Sequence, residues 1–369
     1  MKKLFFLLFT ALCLSCSNNS TEQEPTAKRT VLIYMAADNN LHRSAYKDID
    51  EMLAAEIPNE YNLIVYIDTP YDNPHLLKIK KNAIDTIMQY DVQNSASKQV
   101  LKAVIDETFS LFPAENYGLI LWSHGTGWLP EGAYDYIKET NVRSFGRDKN
   151  NEMEITDLAE AIPENLDFII FDACLMSGIE VLYQLRNKAD IIIASPTEVL
   201  VAGFPYEEIV PLLLTPRPNY GEIALTYMEY YKNRNGILQS GSIAVVDTRQ
   251  LEPLADLVNK AIKEEENLVC PNRELVQRYD TREPALFFDF ENYLEHAISN
   301  EANLIALRKQ ISKTVIYNDW TPYFLDEFSI ERSCGIGIYI PFENDVLFHQ
   351  YSLLDWHKDT GLFCARLAP

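Results

Sequence analysis

Cys174 and His124 are the residues of this sequence best suited to covalent chemistry. A thiolate is a strong nucleophile, and an imidazole within reach can take the thiol proton and later hand it to a leaving group. Each residue stands just beyond a short apolar run that reads as a buried strand. One run continues as Trp122-Ser123-His124-Gly125-Thr126-Gly127, the other as Phe171-Asp172-Ala173-Cys174-Leu175-Met176-Ser177-Gly178. In open parallel sheets, ligands bind beyond the carboxyl ends of the strands. Adjacent parallel strands would bring the two side chains to one rim. An acyl-transfer intermediate there needs hydrogen-bond donors for its oxygen. Gly125 has no side chain to obstruct its N–H, so that N–H and the one of Cys174 form the expected oxyanion pair. No Asn or Asp is placed by the sequence to orient the imidazole, so no third catalytic residue is expected.

The elements that must position these residues follow from periodicity. Thr30–Met35, Tyr61–Asp68, Tyr117–Ser123, Asp167–Asp172 and Asp190–Ser195 are near-continuous apolar runs, the mark of strands covered on both faces. Leu76–Lys80 and Ala83–Tyr90 read as a hairpin turning at Lys81-Asn82. Helical patterns cover 41–56, 97–112 and 176–187, and Thr156 reads as the N-cap of a helix running to Ile162. The start of helix 176–187 would favour a thiolate at Cys174. Further on, Gly241–Val246 and Gly335–Ile340 read as strands, and 249–266, 290–299 and 302–317 as helices. Strands alternating with helices imply a largely parallel sheet flanked by helices. Whether 205–369 is a C-terminal subdomain or extends the sheet is left open by the pattern. Residues 128–151 form a long polar stretch, and loops of that length are often functional.

The sequence resembles the clostripain family of cysteine peptidases, which belongs with the caspases and gingipains. The resemblance rests on Tyr34-Met35-Ala36-Ala37-Asp38-Asn39-Asn40-Leu41, on Ser123-His124-Gly125-Thr126-Gly127-Trp128 and on Asp172-Ala173-Cys174-Leu175-Met176. Gly203-Phe204-Pro205-Tyr206, Asp289-Phe290 and Gly337-Ile338-Tyr339-Ile340-Pro341 echo it more weakly. The spacing of fifty positions from His124 to Cys174 is similar to the caspase separation of about 50. The resemblance implies a caspase-like three-layer α/β sandwich over 30–369, a His124–Cys174 dyad and cleavage after Arg or Lys, with Asp172 helping to bind the basic side chain. Ser195 and Glu198 are added as substrate-binding candidates. Where many relatives carry an acidic residue this chain has Ala202, so a strict Arg/Lys preference is not implied. Some relatives cut themselves between the histidine and the cysteine. Lys138 is the expected processing site, ahead of Arg143 and Arg147. Some relatives require calcium, which leaves calcium open for this chain, but no EF-hand spacing or other metal-ligand cluster supports it, and no other cofactor is expected.

Composition bounds the remaining possibilities. The chain of 369 residues has an ordinary globular balance and a formal net charge of -22. An acidic surface repels phosphate backbones, which argues against nucleic acid, and attracts basic polypeptides. No Gly-x-Ser-x-Gly elbow is present, which excludes the common α/β serine hydrolase arrangement. Lys2 and Lys3 followed by apolar Leu4–Leu14 and Cys16 resemble a bacterial lipoprotein signal over 1–16. Cys16 would be lipidated, residues 17–29 would be a polar tether, and the lipid would be the sole membrane anchor. The expectation is a monomeric, exported protein of the cell envelope. Cys270, Cys334 and Cys364 show no paired spacing and are expected in the core rather than in a disulfide scaffold. The alternative to the enzyme is a surface binding lipoprotein on the same fold, inert or altered in specificity, favoured by Leu200-Val201-Ala202.

Overall fold

The structure, a computed structural model, describes residues 27–130, 145–149, 151–265, 268, 270–341 and 347–363. The signal with Cys16, most of the tether, Lys138, Arg143 and Cys364 lie outside the described residues.

Nine strands form one sheet in the order β12-β10-β9-β8-β5-β1-β2-β3-β4. Its parallel centre comprises β1 (Ala27–Ala36), β2 (Tyr61–Thr69), β5 (Ala114–Trp122), β8 (Leu166–Asp172) and β9 (Ala189–Ala194). β3 (Asp72–Lys80) and β4 (Ala83–Gln89) extend one edge as the expected hairpin, with Asn82 in the left-handed region at φ 57. β10 (Ser242–Asp247) and β12 (Val315–Trp320) extend the other edge antiparallel. Part of the second half of the chain therefore joins the same sheet. β12 occupies residues for which periodicity favoured the end of a helix. β1 starts at Ala27, inside the expected tether, because Arg29 is buried and its guanidinium pairs with Asp167 at 2.6 Å.

The alternation of side chains along each strand fills two cores. Val31, Ile33, Met35, Ile120, Ile170 and Ile193 face one layer, with α1 (His42–Ala54), α5 (Tyr206–Leu213) and α6 (Tyr220–Lys232) packed on it. Leu32, Tyr34, Leu121, Ile169, Phe171 and Ile192 face the other. That layer holds α2 (Lys98–Leu111), α3 (Ile155–Ala161), α4 (Ile179–Gln184), α7 (Leu251–Glu264), α8 (Phe290–Ala297), α9 (Glu301–Thr314) and α11 (Asp355–Thr360). A sheet between two helical layers is the expected three-layer α/β sandwich. Small strand pairs complete it: β6 (Phe145–Asp148) with β7 (Asn151–Met153), β11 (Phe287–Asp289) with β15 (Gly337–Tyr339), and β13 (Tyr323–Phe324) with β14 (Phe328–Ser329). A short helix, α10 (Phe348–Tyr351), precedes α11.

Three local expectations are corrected. Thr156 lies inside α3, whose N-cap is Glu154. The helix after Cys174 begins only at Ile179, because Leu175 takes a left-handed φ of 64 and the chain turns through 175–178 first. Cys270 is half-buried and disulfide-bonded, whereas Cys334 is a buried free thiol as expected.

Candidate active site

The strand order changes direction at β1: its neighbours are β2 on one side and β5 on the other. Such a switch point opens a crevice beyond the carboxyl ends of the strands. The register then sets the site. Trp122 of β5 pairs with Asp172 of β8, and the Ser123 N–H donates to the Asp172 carbonyl at 3.3 Å. His124 and Cys174 each lie two residues beyond that pair, at the same height on the rim. Their loops touch: a Cβ on Gly125 would sit 2.5 Å from the Cys174 carbonyl oxygen and 2.9 Å from its nitrogen. Only glycine permits that approach. His124, Cys174 and Asp172 line one cavity of about 150 Å³, together with Trp122, Leu200 and Gly203. Among the described residues, neither the Gly125 nor the Cys174 N–H has a hydrogen-bond partner.

Residues 33–332 match the clostripain family. The chain belongs to that family. It is 30% identical over 232 residues to clostripain of Hathewaya histolytica, a stretch covering 53% of this chain and 43% of that protein. The match thus spans less than half the length of that curated relative. An inactive zymogen C11 protease from Parabacteroides distasonis is 34% identical, with a TM-score of 0.80 over 91% of this chain and 98% of that one. A secreted C11 cysteine protease from Bacteroides thetaiotaomicron, in complex with an irreversible peptide inhibitor, is 31% identical, with a TM-score of 0.78 over 90% and 99%. The clostripain family and these structures are those of cysteine-type endopeptidases, with the caspase-like fold.

In this clostripain-family chain the sulfur of Cys174 is held by main chain. It accepts from the Val199 N–H at 3.2 Å and lies 3.6 Å from the Val199 carbonyl. Burial pushes the thiol up to about 11, against the lowering effect of the Val199 N–H; Glu198 adds to the rise. The helix dipole expected to assist it belongs to a helix that starts five residues later, too far for an effect that fades within one turn. Burial, with the Arg147 guanidinium adding to it, pushes the His124 imidazole down to about 4. Both groups are therefore neutral near pH 7 in this arrangement.

The imidazole has a partner that the sequence reading did not expect. Nε2 of His124 lies 2.8 Å from Oδ1 of Asn40. Asn40 belongs to Asp38-Asn39-Asn40, which reads from sequence as a turn and helix cap. The missed signal was its place at the carboxyl end of β1, on the side of the switch point that faces β5.

Asp172 lies on the cavity wall, almost fully buried. Its Oδ2 accepts from the Phe204 N–H at 3.2 Å and the Tyr206 hydroxyl at 3.0 Å. Gly203, at φ 59, is required there, since a Cβ would meet Oδ2 at 2.7 Å. Burial pushes Asp172 up to about 6, the two donors opposing it. A second carboxyl, Asp48 of α1, lies behind Trp122 and accepts from its Nε1 at 2.8 Å. Burial, with Asp172 adding to it, pushes Asp48 up to about 9. Burial raises both carboxyls, and Asp172 has the two hydrogen-bond donors that favour its charged form.

The other two substrate-binding candidates stand outside the cavity lining. Ser195 is fully buried and bonded to Ser242 at 3.0 Å and to the Thr197 N–H at 3.1 Å, so it shapes the loop that reaches Val199. Glu198 turns away from the cavity. Its Oε1 accepts from the Thr281 N–H at 2.9 Å and hydroxyl at 2.8 Å, with Arg282 at 4.0 Å. Ala202 leaves Asp172 as the acidic side chain on the cavity wall. Among the described residues no group of three or more His, Cys, Asp or Glu is placed to hold a metal ion.

Proposed function

We propose that this protein is an exported endopeptidase that cleaves peptide bonds with Cys174 as nucleophile and His124 as general base and acid. The observation that carries the reading is the meeting of the two loops at Gly125, which brings the Cys174 and His124 side chains to one cavity beside two N–H groups with no partner among the described residues. An arriving substrate backbone takes the place of the Val199 main chain at the sulfur. The imidazole then accepts the thiol proton, and the thiolate attacks the carbonyl carbon. The N–H groups of Gly125 and Cys174 receive the developing oxyanion. The imidazolium protonates the leaving amine, and a water molecule, deprotonated by the same imidazole, releases the acyl group.

Asp172 supports a preference for Lys or Arg beside the scissile bond. It is a buried carboxylate on the cavity wall with no cation bonded to it among the described residues, and a substrate cation would compensate its burial. With Ala202 in place of a second acid, that preference is graded rather than strict. We extend the reading to self-cleavage at Lys138, lipid anchoring at Cys16 in the cell envelope, action as a monomer, and chemistry without a metal or other cofactor.

The decisive test is mass spectrometry of the wild type beside Cys174→Ala, with a peptidyl-lysine electrophile as label. Wild type should gain one label on Cys174 and show a cut after Lys138. The alanine variant should do neither, and EDTA should change nothing. The capped sulfur and Ala202 favour the competing reading, a peptide-binding lipoprotein. A wild type inert to basic, acidic and apolar labels alike would establish that reading.

A further inference from the structure

We propose that Asn40 is a positioning residue of the catalytic centre: its amide oxygen receives the Nε2–H of His124, so that Nδ1 keeps its lone pair for the thiol proton. The proposal rests on the Cys174–His124 reading above. Met35 of β1 is in register with Trp122 of β5, so the turn after β1 lies beside Ser123 and His124. That turn is fixed without Asn40. The Asn39 side chain accepts from the Leu41 N–H at 2.8 Å and donates to the carbonyls of Ala36 at 3.0 Å and Arg147 at 2.7 Å. The Lys149 N–H donates to the Asp38 carbonyl at 2.9 Å, and the Ser123 hydroxyl to that of Ala36 at 2.7 Å. Asn39 thus shapes the turn, whereas Asn40 is exposed and its side chain makes one hydrogen bond among the described residues, the one to the imidazole.

A neutral imidazole has one N–H, and the partner of one nitrogen decides which nitrogen is free to act as a base. An amide oxygen on Nε2 selects the tautomer with an unprotonated Nδ1. It also supports the imidazolium that forms during acylation without supplying a full negative charge, so the proton is not held too tightly to be passed on. The reverse orientation of the amide, with its NH₂ donating to Nε2, would place the ring proton on Nδ1 and leave no base for the thiol. Asp in place of Asn separates the two cases, because an ionised carboxylate only accepts.

The experiment measures kcat, KM and the pH profile of kcat/KM for Asn40→Ala, Asn40→Asp and Cys174→Ala on a peptidyl-lysine amide, with unfolding temperatures. Asn40→Ala should lower kcat by about 100-fold, the scale of a misplaced catalytic group, leaving KM within about threefold and the fold intact. Asn40→Asp should retain most of kcat and move the acidic limb upward by about one pH unit, as a carboxylate beside an imidazolium does. The other charged or titratable groups that act on the ring or share its cavity are Arg147 from β6, Asp172 at the end of β8 and Cys174 in the turn after it; the Asp38–Lys149 pair, at 3.2 Å, belongs to the same turn as Asn40. None of them is altered in either variant. Wild-type kcat in Asn40→Ala, an unmoved acidic limb in Asn40→Asp, or an aspartate variant as slow as the alanine one would overturn the proposal. Activity surviving in Cys174→Ala would instead overturn the peptidase reading, whatever Asn40 does.

Discussion

The two loops that meet at the rim are held in different ways. The imidazole loop is pinned around the reactive ring itself. Ser123 is bonded to Ala36 and accepts from the Arg147 N–H, the His124 carbonyl accepts from Gly146, and Asn40 bonds the ring. Four residues on, Trp128 is fully buried between Tyr339 and Tyr351, with ring centroids 5.0 and 4.9 Å away. The thiol loop is pinned through its backbone: Leu175 donates to Thr197, Ser177 donates to Ser195, and Gly337 donates to Ser177. Its sulfur, in contrast, is bonded only to Val199 among the described residues, next to a segment whose Val201 is 65% exposed. On the proposed reading, the imidazole is set before substrate arrives, whereas the thiol must exchange its partner. Pre-organisation is strongest where it costs nothing to keep through the reaction.

The largest test removes an anchor of the pinned loop. Trp128→Ala should destabilise the protein by roughly 3–5 kcal/mol, the usual range for deleting a buried tryptophan. Denaturant unfolding measures it. A variant as stable and as active as wild type would show that the imidazole loop does not depend on the aromatic brace. Next comes the cavity wall. Asp172→Asn keeps an acceptor for Phe204 and Tyr206 but removes the charge. It should lower kcat/KM for lysine and arginine substrates by about 100-fold, since losing one partner of a buried charge pair costs upward of about 2 kcal/mol. Neutral substrates should be little affected. An equal loss on both classes would make Asp172 a structural residue.

The parts of the site that follow strand period were legible in the sequence. Trp122-Ser123-His124 and Phe171-Asp172-Ala173-Cys174 end apolar runs buried on both faces, and the sheet brings such ends to one rim. The contacts made by turns were not legible. Asn40 and Val199 reach the site through backbone geometry that has no apolar period, and adjacent residues divide the work: Asn39 shapes the turn while Asn40 meets the ring. Ser195 and Glu198 stand outside the cavity lining for the same reason, because their loop doubles back on Ser242 and Thr281. The strand at Val315–Trp320 was masked by a helical pattern running into it. Disulfide bonding at Cys270 could not be inferred from cysteines so widely spaced.

Thiol reactivity tests the capped side of the comparison directly. With the thiol pushed up to about 11 from an ordinary 9.0, the thiolate fraction at pH 7 falls about 100-fold. Alkylation of free protein by iodoacetamide should be slow at pH 7 and rise about tenfold per pH unit toward pH 11. A peptidyl electrophile that displaces Val199 should react far faster at the same pH. Equal behaviour of the two reagents would mean that the sulfur is already free.

The smallest effect concerns a brace shared by both loops. Glu180, fully buried six residues after Cys174, accepts through Oε1 from the Tyr339 N–H at 2.9 Å and the Tyr351 hydroxyl at 3.3 Å. These are the same two residues that enclose Trp128. Burial pushes its carboxyl up to about 7 from 4.5, the Tyr339 N–H opposing. The folded state then keeps a proton that the unfolded chain releases above pH 4.5. Its contribution is fullest below pH 4.5 and is lost as pH rises through 7, a change on the order of 3 kcal/mol. Glutamine does not titrate but retains the acceptor. The stability of Glu180→Gln relative to wild type should therefore rise by on the order of 3 kcal/mol between pH 4.5 and pH 8, read from denaturant midpoints at each pH. A difference independent of pH would mean that Glu180 is ionised in the folded protein throughout. The tyrosine brace would then rest on a buried charge, and the two loops would share an electrostatic support rather than a neutral hydrogen-bonded one.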